Sequence, residues 1–315
     1  MALIRKFPLD PGLNFMGRRN LFLAFSALMM VVSVGLALVQ GLNFGVDFRG
    51  GLLIEVRTAQ PADLSALRSR LGGLGIGEVT LQQFGEPTDV LVNVSRAAEG
   101  EAGQAAAIEA ITGAFGEGAE IRRQEFVGPK IGDELKEAGV LATVLAMLGI
   151  GIYVWFRFEW QFGVAALVSL LHDVVATVGF YALTQIEFNL ATLAAVLTIA
   201  GYSINDTVVI FDRVRETLRR YKKLPLLELL NRAVNTTLSR TILTSVSTLL
   251  ALFALFIFGG EVIRGFTAGL IWGIFIGTYS SFGLAVPLLS YLGLRRGGEG
   301  GKEEAEAVGA AEPST

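Results

Sequence analysis

The chain of 315 residues is 52% hydrophobic and only 17% charged, with a formal charge of −3. Soluble domains carry about 25% charged residues, so lipid must be part of this chain's solvent. The lack of cysteine rules out disulfides, zinc–thiolate sites and thiol nucleophiles on either side of a membrane.

The first apolar run, Leu21 to Val39, has no charge and follows Arg5, Lys6, Arg18 and Arg19. At roughly 20 residues it exceeds a signal-peptide core and reads as an uncleaved anchor, so residues 1–40 form a cytoplasmic N-terminus and span one. Residues 41–134 are polar and read as a small extracytoplasmic domain. Leu52 to Thr58 has strand composition, Pro61 to Leu74 has helical spacing, and Val79 to Phe84 reads as a second strand. The pattern then repeats: Val90 to Val94 alternates, Gln104 to Phe115 places Ala107, Ile108, Ile111 and Phe115 on one helical face, and Glu120 to Val127 is a last strand. The order β-α-β-β-α-β is the split βαβ arrangement of an α+β ferredoxin-like fold.

Five more runs of spanning length follow, at Ala138 to Phe156, Phe162 to Thr184, Leu190 to Phe211, Thr241 to Phe258 and Phe266 to Leu292. The expected fold class is therefore an α-helical membrane protein of six spans with the small domain between spans one and two, residues 135–294 holding spans two to six. With the N-terminus inside, the cytoplasmic loops hold Arg157, then Arg213, Arg215, Arg219, Arg220, Lys222, Lys223 and Arg232, and finally Arg295 and Arg296. The opposite short loops hold only Arg264, so the positive-inside rule places both termini in the cytoplasm. The basic segment 212–239, with Leu226, Leu229, Leu230 and Val234 as an apolar stripe, reads as an interfacial helix on anionic lipid or as a cytosolic partner site. The glycine- and glutamate-rich tail, 295–315, reads as disordered.

Ionisable residues at membrane depth are expensive, and each is a functional candidate. His172, the one histidine, and Asp173 fall roughly 15 Å into span three. Asn205 and Asp206 lie about one and a half turns inside the end of span four. Arg240 begins span five at a similar depth, heading a polar stripe of Thr241, Thr244, Ser245 and Thr248. A carboxylate facing a guanidinium there serves proton coupling, because burial and a nearby cation push a carboxylate's proton affinity in opposite directions. The bland reading makes the same groups interhelical glue, worth about 1 kcal/mol each. In span six Gly265, Gly269, Gly273 and Gly277, followed by Ser281 and Ala285, form a small-residue packing face, and Pro287 marks a kink near the end.

Four segments together resemble the SecF family of the resistance-nodulation-division superfamily, and they are spread over most of the chain. They are Phe44-Gly45-Val46-Asp47-Phe48-Arg49-Gly50-Gly51, Val127-Gly128-Pro129-Lys130-Ile131-Gly132, the stretch Gly201-Tyr202-Ser203-Ile204-Asn205-Asp206-Thr207-Val208-Val209-Ile210-Phe211-Asp212-Arg213, and Leu238-Ser239-Arg240-Thr241. The resemblance implies an inner-membrane auxiliary subunit without enzymatic activity or cofactor. It implies coupling of the proton motive force to late protein export with SecD, the SecYEG channel, YajC and a translocating preprotein. It also implies that Asp206 is the proton-responsive carboxylate and Arg240 its partner. Asp47, Arg49, Gly50 and Gly51 read either as a turn feeding the first strand or as a hinge.

Three rival functions stay open on the residues alone. A small-molecule efflux component shares the superfamily, but six spans and one small domain leave little room for a drug site. An intramembrane protease would use Asp206 with Asp173. A passive scaffold would use the charges only to hold helices. No Gly-x-x-x-x-Gly-Lys loop occurs, which disfavours nucleotide hydrolysis, and topology and lipid charge explain the basic loop without nucleic acid.

Overall fold

A computed structural model describes residues 12–83, 86–95, 101–116 and 118–294; the tail expected to be disordered lies outside them, as do Arg5, Lys6, Arg295 and Arg296. The polar segment after the first span folds as α2 (Val46–Arg49), β1 (Gly51–Arg57), α3 (Leu64–Gly72), β2 (Glu78–Gln83), β3 (Asp89–Ser95), α4 (Glu101–Phe115) and β4 (Glu120–Val127). The sheet order β2-β3-β1-β4 is antiparallel at every pairing, which is the split βαβ topology expected from the repeat. Alternation decides the register: Leu52, Ile54 and Val56 of β1 and Val90, Val92 and Val94 of β3 are buried against Leu67, Leu71, Ala107 and Ile111 of the two helices. Asp63 caps α3 by accepting from Ser65 N at 2.9 Å and Ala66 N at 3.1 Å.

Among the described residues, six helical segments are long and apolar enough to cross a membrane. They are built on α1 (Arg19–Val39), α5 (Pro129–Arg157), α6 (Trp160–Thr184), α7 (Leu190–Arg220), α8 (Leu226–Phe258) and α9 (Glu261–Ser280). The sixth is not one regular helix. A π-helical turn, Ser281–Ala285, separates α9 from α10 (Val286–Leu289). Pro287 has no N–H to return to the preceding turn, and a wider turn there relieves the clash of its ring with that carbonyl. α6 and the last span are central, with 67% of their apolar windows buried, against 11% for α1 and 17% for α8.

The segment 212–239 departs from the sequence expectation. α7 continues to Arg220 and α8 starts at Leu226, so the two form one long hairpin with a short turn at 221–225. The stripe assigned to a lipid-lying helix is buried in protein. Leu229, Leu230 and Val234 are all buried, and Leu230 and Val234 pack with Phe162, Phe211, Val214 and Val286. Asn231 and Asn235 on the same face grip the chain just before span one: Leu13 N donates to Asn235 Oδ1 at 2.8 Å, and Phe15 N donates to Asn231 Oδ1 at 2.8 Å.

The glycines at every fourth position of α9 make the central contact. A Cβ at Gly269 would overlap the Tyr181 hydroxyl of α6, one at Gly273 would overlap Ile199 of α7, and one at Gly277 would stand 2.9 Å from Ser203 Cβ. Gly265 faces Ile186 and Thr192, and its carbonyl accepts from Tyr181 Oη at 3.1 Å. Close approach of backbones is what small residues supply where lipid offers no hydrophobic drive.

The sheet domain joins the bundle through the Asp47–Gly51 motif. Asp47 Oδ2 accepts from Leu190 N, 2.9 Å away, at the first turn of α7, alongside the Asn189–Thr192 capping box. Phe48 stacks on Phe188 at 5.9 Å, and Gly45 N donates to Phe188 O at 3.0 Å. Arg49 pairs with Glu78 of β2 at 3.4 Å, and Gly50, with φ of 74°, turns the chain into β1. A Cβ on Gly132 of α5 would stand 2.8 Å from Phe48 O. The motif is thus wedged between α5 and α7, which makes it a packed latch in this state; Asp47 and Arg49 are both paired. Glu187 sits in the same junction. Burial, then the neighbouring Asp47 carboxylate, push its carboxyl above the ordinary value of 4.5, while Asn189 and Arg49 oppose the shift.

Two outcomes test this architecture. Gly269→Ala should destabilise the purified protein by about 1–3 kcal/mol through overpacking. Adding Tyr181→Phe should recover part of that loss in thermal unfolding, and strictly additive losses would contradict the contact. At the junction, a carboxyl with a raised folded value contributes stability that is present below its unfolded value and lost as pH rises through the folded one. The melting temperature of Glu187→Gln should therefore gain on wild type as pH rises from mildly acid to mildly alkaline; parallel pH profiles would contradict it.

Candidate functional site

The centre of the bundle holds a carboxylate that three elements converge on. His172 and Asp173, both 0% exposed, lie midway along α6, and His172 Nδ1 is 3.0 Å from Asp173 Oδ1. The other carboxylate oxygen accepts from Ser203 Oγ of α7 and from Ser280 Oγ of α9 at 2.8 Å. Ser280 and Ser281 stand where the α-helix gives way to the π turn, and π turns commonly mark functional positions. Ser281 Oγ shares a hydrogen bond with Thr207 Oγ1 at 3.0 Å and donates to Gly277 O at 2.8 Å. One polar cluster thus runs from His172 to Thr207, the residue after Asp206. His172 Nε2 is buried and has no hydrogen-bond partner among the described residues.

Asp206 itself is buried at 4% exposure, and its Oδ2 has no hydrogen-bond partner among the described residues. Thr241 Oγ1 on α8 is buried and unpartnered as well. Among the described residues no ion pair within 4.0 Å joins Asp206 to Arg240, so the direct contact inferred from their depths is not formed in this state. Asp206 is buried and Asn205 and Arg240 are exposed, with the Arg240 charge still near enough to act on the Asp206 carboxylate; similar depth alone does not bring two helical residues into direct contact. The stripe below Arg240 ties α8 inward, with Ser245 Oγ 2.7 Å from Thr278 Oγ1 and Tyr202 Oη donating to Thr248 Oγ1 at 3.4 Å.

Sequence reasoning named both carboxylates but missed Ser203 and Ser280 as the groups that hold Asp173, and Ser281 as the link from there to Thr207. The available signal was spacing: Ser281 continues the glycine stripe that packs on Ser203, and Pro287 lies one turn and a half beyond. Asp47 as a cap of α7 was also missed, since 143 residues separate the two ends of that bond.

The chain can now be set beside known proteins. Residues 107–295 match the family described as protein export membrane protein SecD/SecF, C-terminal, and residues 35–62 match the SecD/SecF GG motif. Protein translocase subunit SecF of Rickettsia rickettsii is 45% identical over 291 residues, covering 91% of this chain and 94% of that protein. SecF of Pseudomonas aeruginosa is 45% identical over 282 residues, covering 90% and 92%. The crystal structure of SecDF, a translocon-associated membrane protein from Thermus thermophilus, superposes with a TM-score of 0.78 at 36% identity over 92% of this chain. This chain spans 40% of that longer one. The multi-pass bundle, the split βαβ domain and the glycine-rich junction all have their counterparts in one place: the chain belongs to the SecF family of protein translocase subunits.

Proposed function

We propose that this subunit works with SecD as a proton-driven motor for late steps of protein export, with Asp206 as the proton-responsive carboxylate and Arg240 as the cation that answers it. The observation that carries this reading is the state of Asp206: buried, with an oxygen that has no hydrogen-bond partner, beside a face on which Asn205 and Arg240 are exposed. In hydrocarbon such a face is unfavourable, and polar residues in spans point into bundles or water-filled cavities. Thr198 and Gly201, on the same face of α7 as Asn205, are exposed as well. A partner with complementary polar groups belongs there, and SecD is the partner that the shared SecDF chain of the solved relative suggests.

In this reading Asp173 is the fixed element. Its oxygens are engaged from α6, α7 and α9, so a change at Asp206 reaches the three central helices through Thr207 and Ser281. The role is energy coupling, without chemistry on a substrate. The subunit sits in the cytoplasmic membrane with both termini inside, acts on preprotein at the SecYEG channel, and has YajC and membrane lipid as further neighbours; nucleic acid is not among them. The positive-inside distribution supports the orientation.

The test is proton-gradient-stimulated completion of preprotein transport in inverted vesicles. Asp206→Asn should lose that stimulation while abundance and association with SecD stay at wild-type levels. Asp173→Asn should instead lower abundance. Stimulation that survives Asp206→Asn would make the carboxylate structural and overturn the mechanism.

A further inference from the structure

A cavity of about 490 Å³ lies in the half of the bundle nearest the sheet domain, between α5, α6 and α7. That volume lies within the roughly 300–1,000 Å³ range of ligand sites. Its ceiling is the aromatic latch, Phe44, Phe48 and Phe188, and its inner wall is Met147, Val174 and Val196, each at most 9% exposed. On its outer side stand Val140 and Val144 of α5, 66% and 46% exposed, so it opens sideways at the depth of the hydrocarbon. α5 stays close to α6 through its second half, with Gly163 of α6 tight against Trp155, and in its first half Gly139 lies against Leu193 of α7, so the space opens between these two contacts.

We propose that this cavity holds one acyl chain of a phospholipid from the leaflet on the sheet-domain side. Two polar side chains line it, Lys136 and Thr143. The Thr143 hydroxyl is committed to Gly139 O at 2.8 Å, which leaves the walls without a free hydrogen-bonding group below the rim. An extended polypeptide entering there would bring amides with nothing to receive them, whereas a hydrocarbon chain makes no such demand. Lys136 stands at the polar end, its ammonium 2.9 Å from Asp133 and 5.6 Å from the centre of the Phe44 ring. An ammonium has three donors, so one that serves Asp133 still has two for a headgroup phosphate. The bound chain would lie directly under the latch that joins the sheet domain to the bundle.

The experiment uses the full chain in vesicles of phosphatidylethanolamine and phosphatidylglycerol that include phosphatidylglycerol with a diazirine near the end of one acyl chain. After illumination, adducts are mapped by mass spectrometry. Adducts on Met147 and Val174, at 9% and 8% exposure the inner wall of the cavity, support the proposal if Thr143→Trp abolishes them and Thr143→Val, which keeps the space, does not. Val178→Trp, filling the cavity from α6, should abolish them equally, so failure of one variant to fold leaves the test intact. Adducts confined to the exposed face of α5 away from the cavity, at Leu145 and Ile152, or inner-wall adducts that persist in the filled variants, would overturn it. Displacement of the inner-wall adducts by an apolar peptide would assign the cavity to polypeptide and overturn it as well.

Discussion

Hydrocarbon offers no hydrogen-bond partner, and the arrangement of the central helices follows from satisfying one carboxylate under that constraint. Asp173 cannot sit midway along a span unless its oxygens are met from within the protein. They are met by a ring nitrogen one residue away and by hydroxyls of α7 and α9. Those bonds require α9 to approach α6 and α7 closely, and its glycines at 265, 269, 273 and 277 make the approach sterically possible. Polar satisfaction and backbone packing therefore specify the same helix rotations, and the π turn begins just where Ser280 and Ser281 deliver their hydroxyls.

The second carboxylate is the counterpart. Asp206 lies on α7, about one turn beyond Ser203, yet among the described residues its Oδ2 has no hydrogen-bond partner, and Asn205 and Arg240 are exposed. On the proposed function, a subunit with one fully engaged and one partly unpartnered carboxylate is half of a machine, with a rigid centre and an exposed polar edge for its partner. The engaged carboxylate ties α6, α7 and α9 together, and the proposed function assigns the proton to the other one.

Much of this was legible in the residues. Spanning runs, alternation in Leu52–Val56 and Val90–Val94, and the four-residue glycine spacing are periodic signals, and periodicity survives without knowledge of the tertiary fold. The resemblance in the Phe44–Gly51 and Gly201–Arg213 segments pointed to the family. What stayed hidden depends on rotation and long-range closure. Serines and threonines are common in spans and bond their own backbone, so nothing local separates Ser203 and Ser280 from Thr198, which donates to Ala194 O. The charge cluster after Phe211 suggested that the span ended there, but basic residues at a span's end are compatible with a helix that simply continues into water, as α7 does to Arg220. Asn231 and Asn235 gave no warning that they hold the backbone of Leu13, because their partners lie more than two hundred residues away in sequence.

The central claim is that Asp206, rather than Asp173, takes up and releases the proton. Infrared difference spectroscopy of the subunit assembled with SecD, titrated with acid in a membrane, reads this directly through the carbonyl stretch of a protonated carboxyl. The account predicts a titrating carboxyl band that disappears in Asp206→Asn and persists in Asp173→Glu, which keeps a carboxylate at the centre. A band unchanged by Asp206→Asn, but shifted by Asp173→Glu, would contradict it and move the working proton to the core of the bundle.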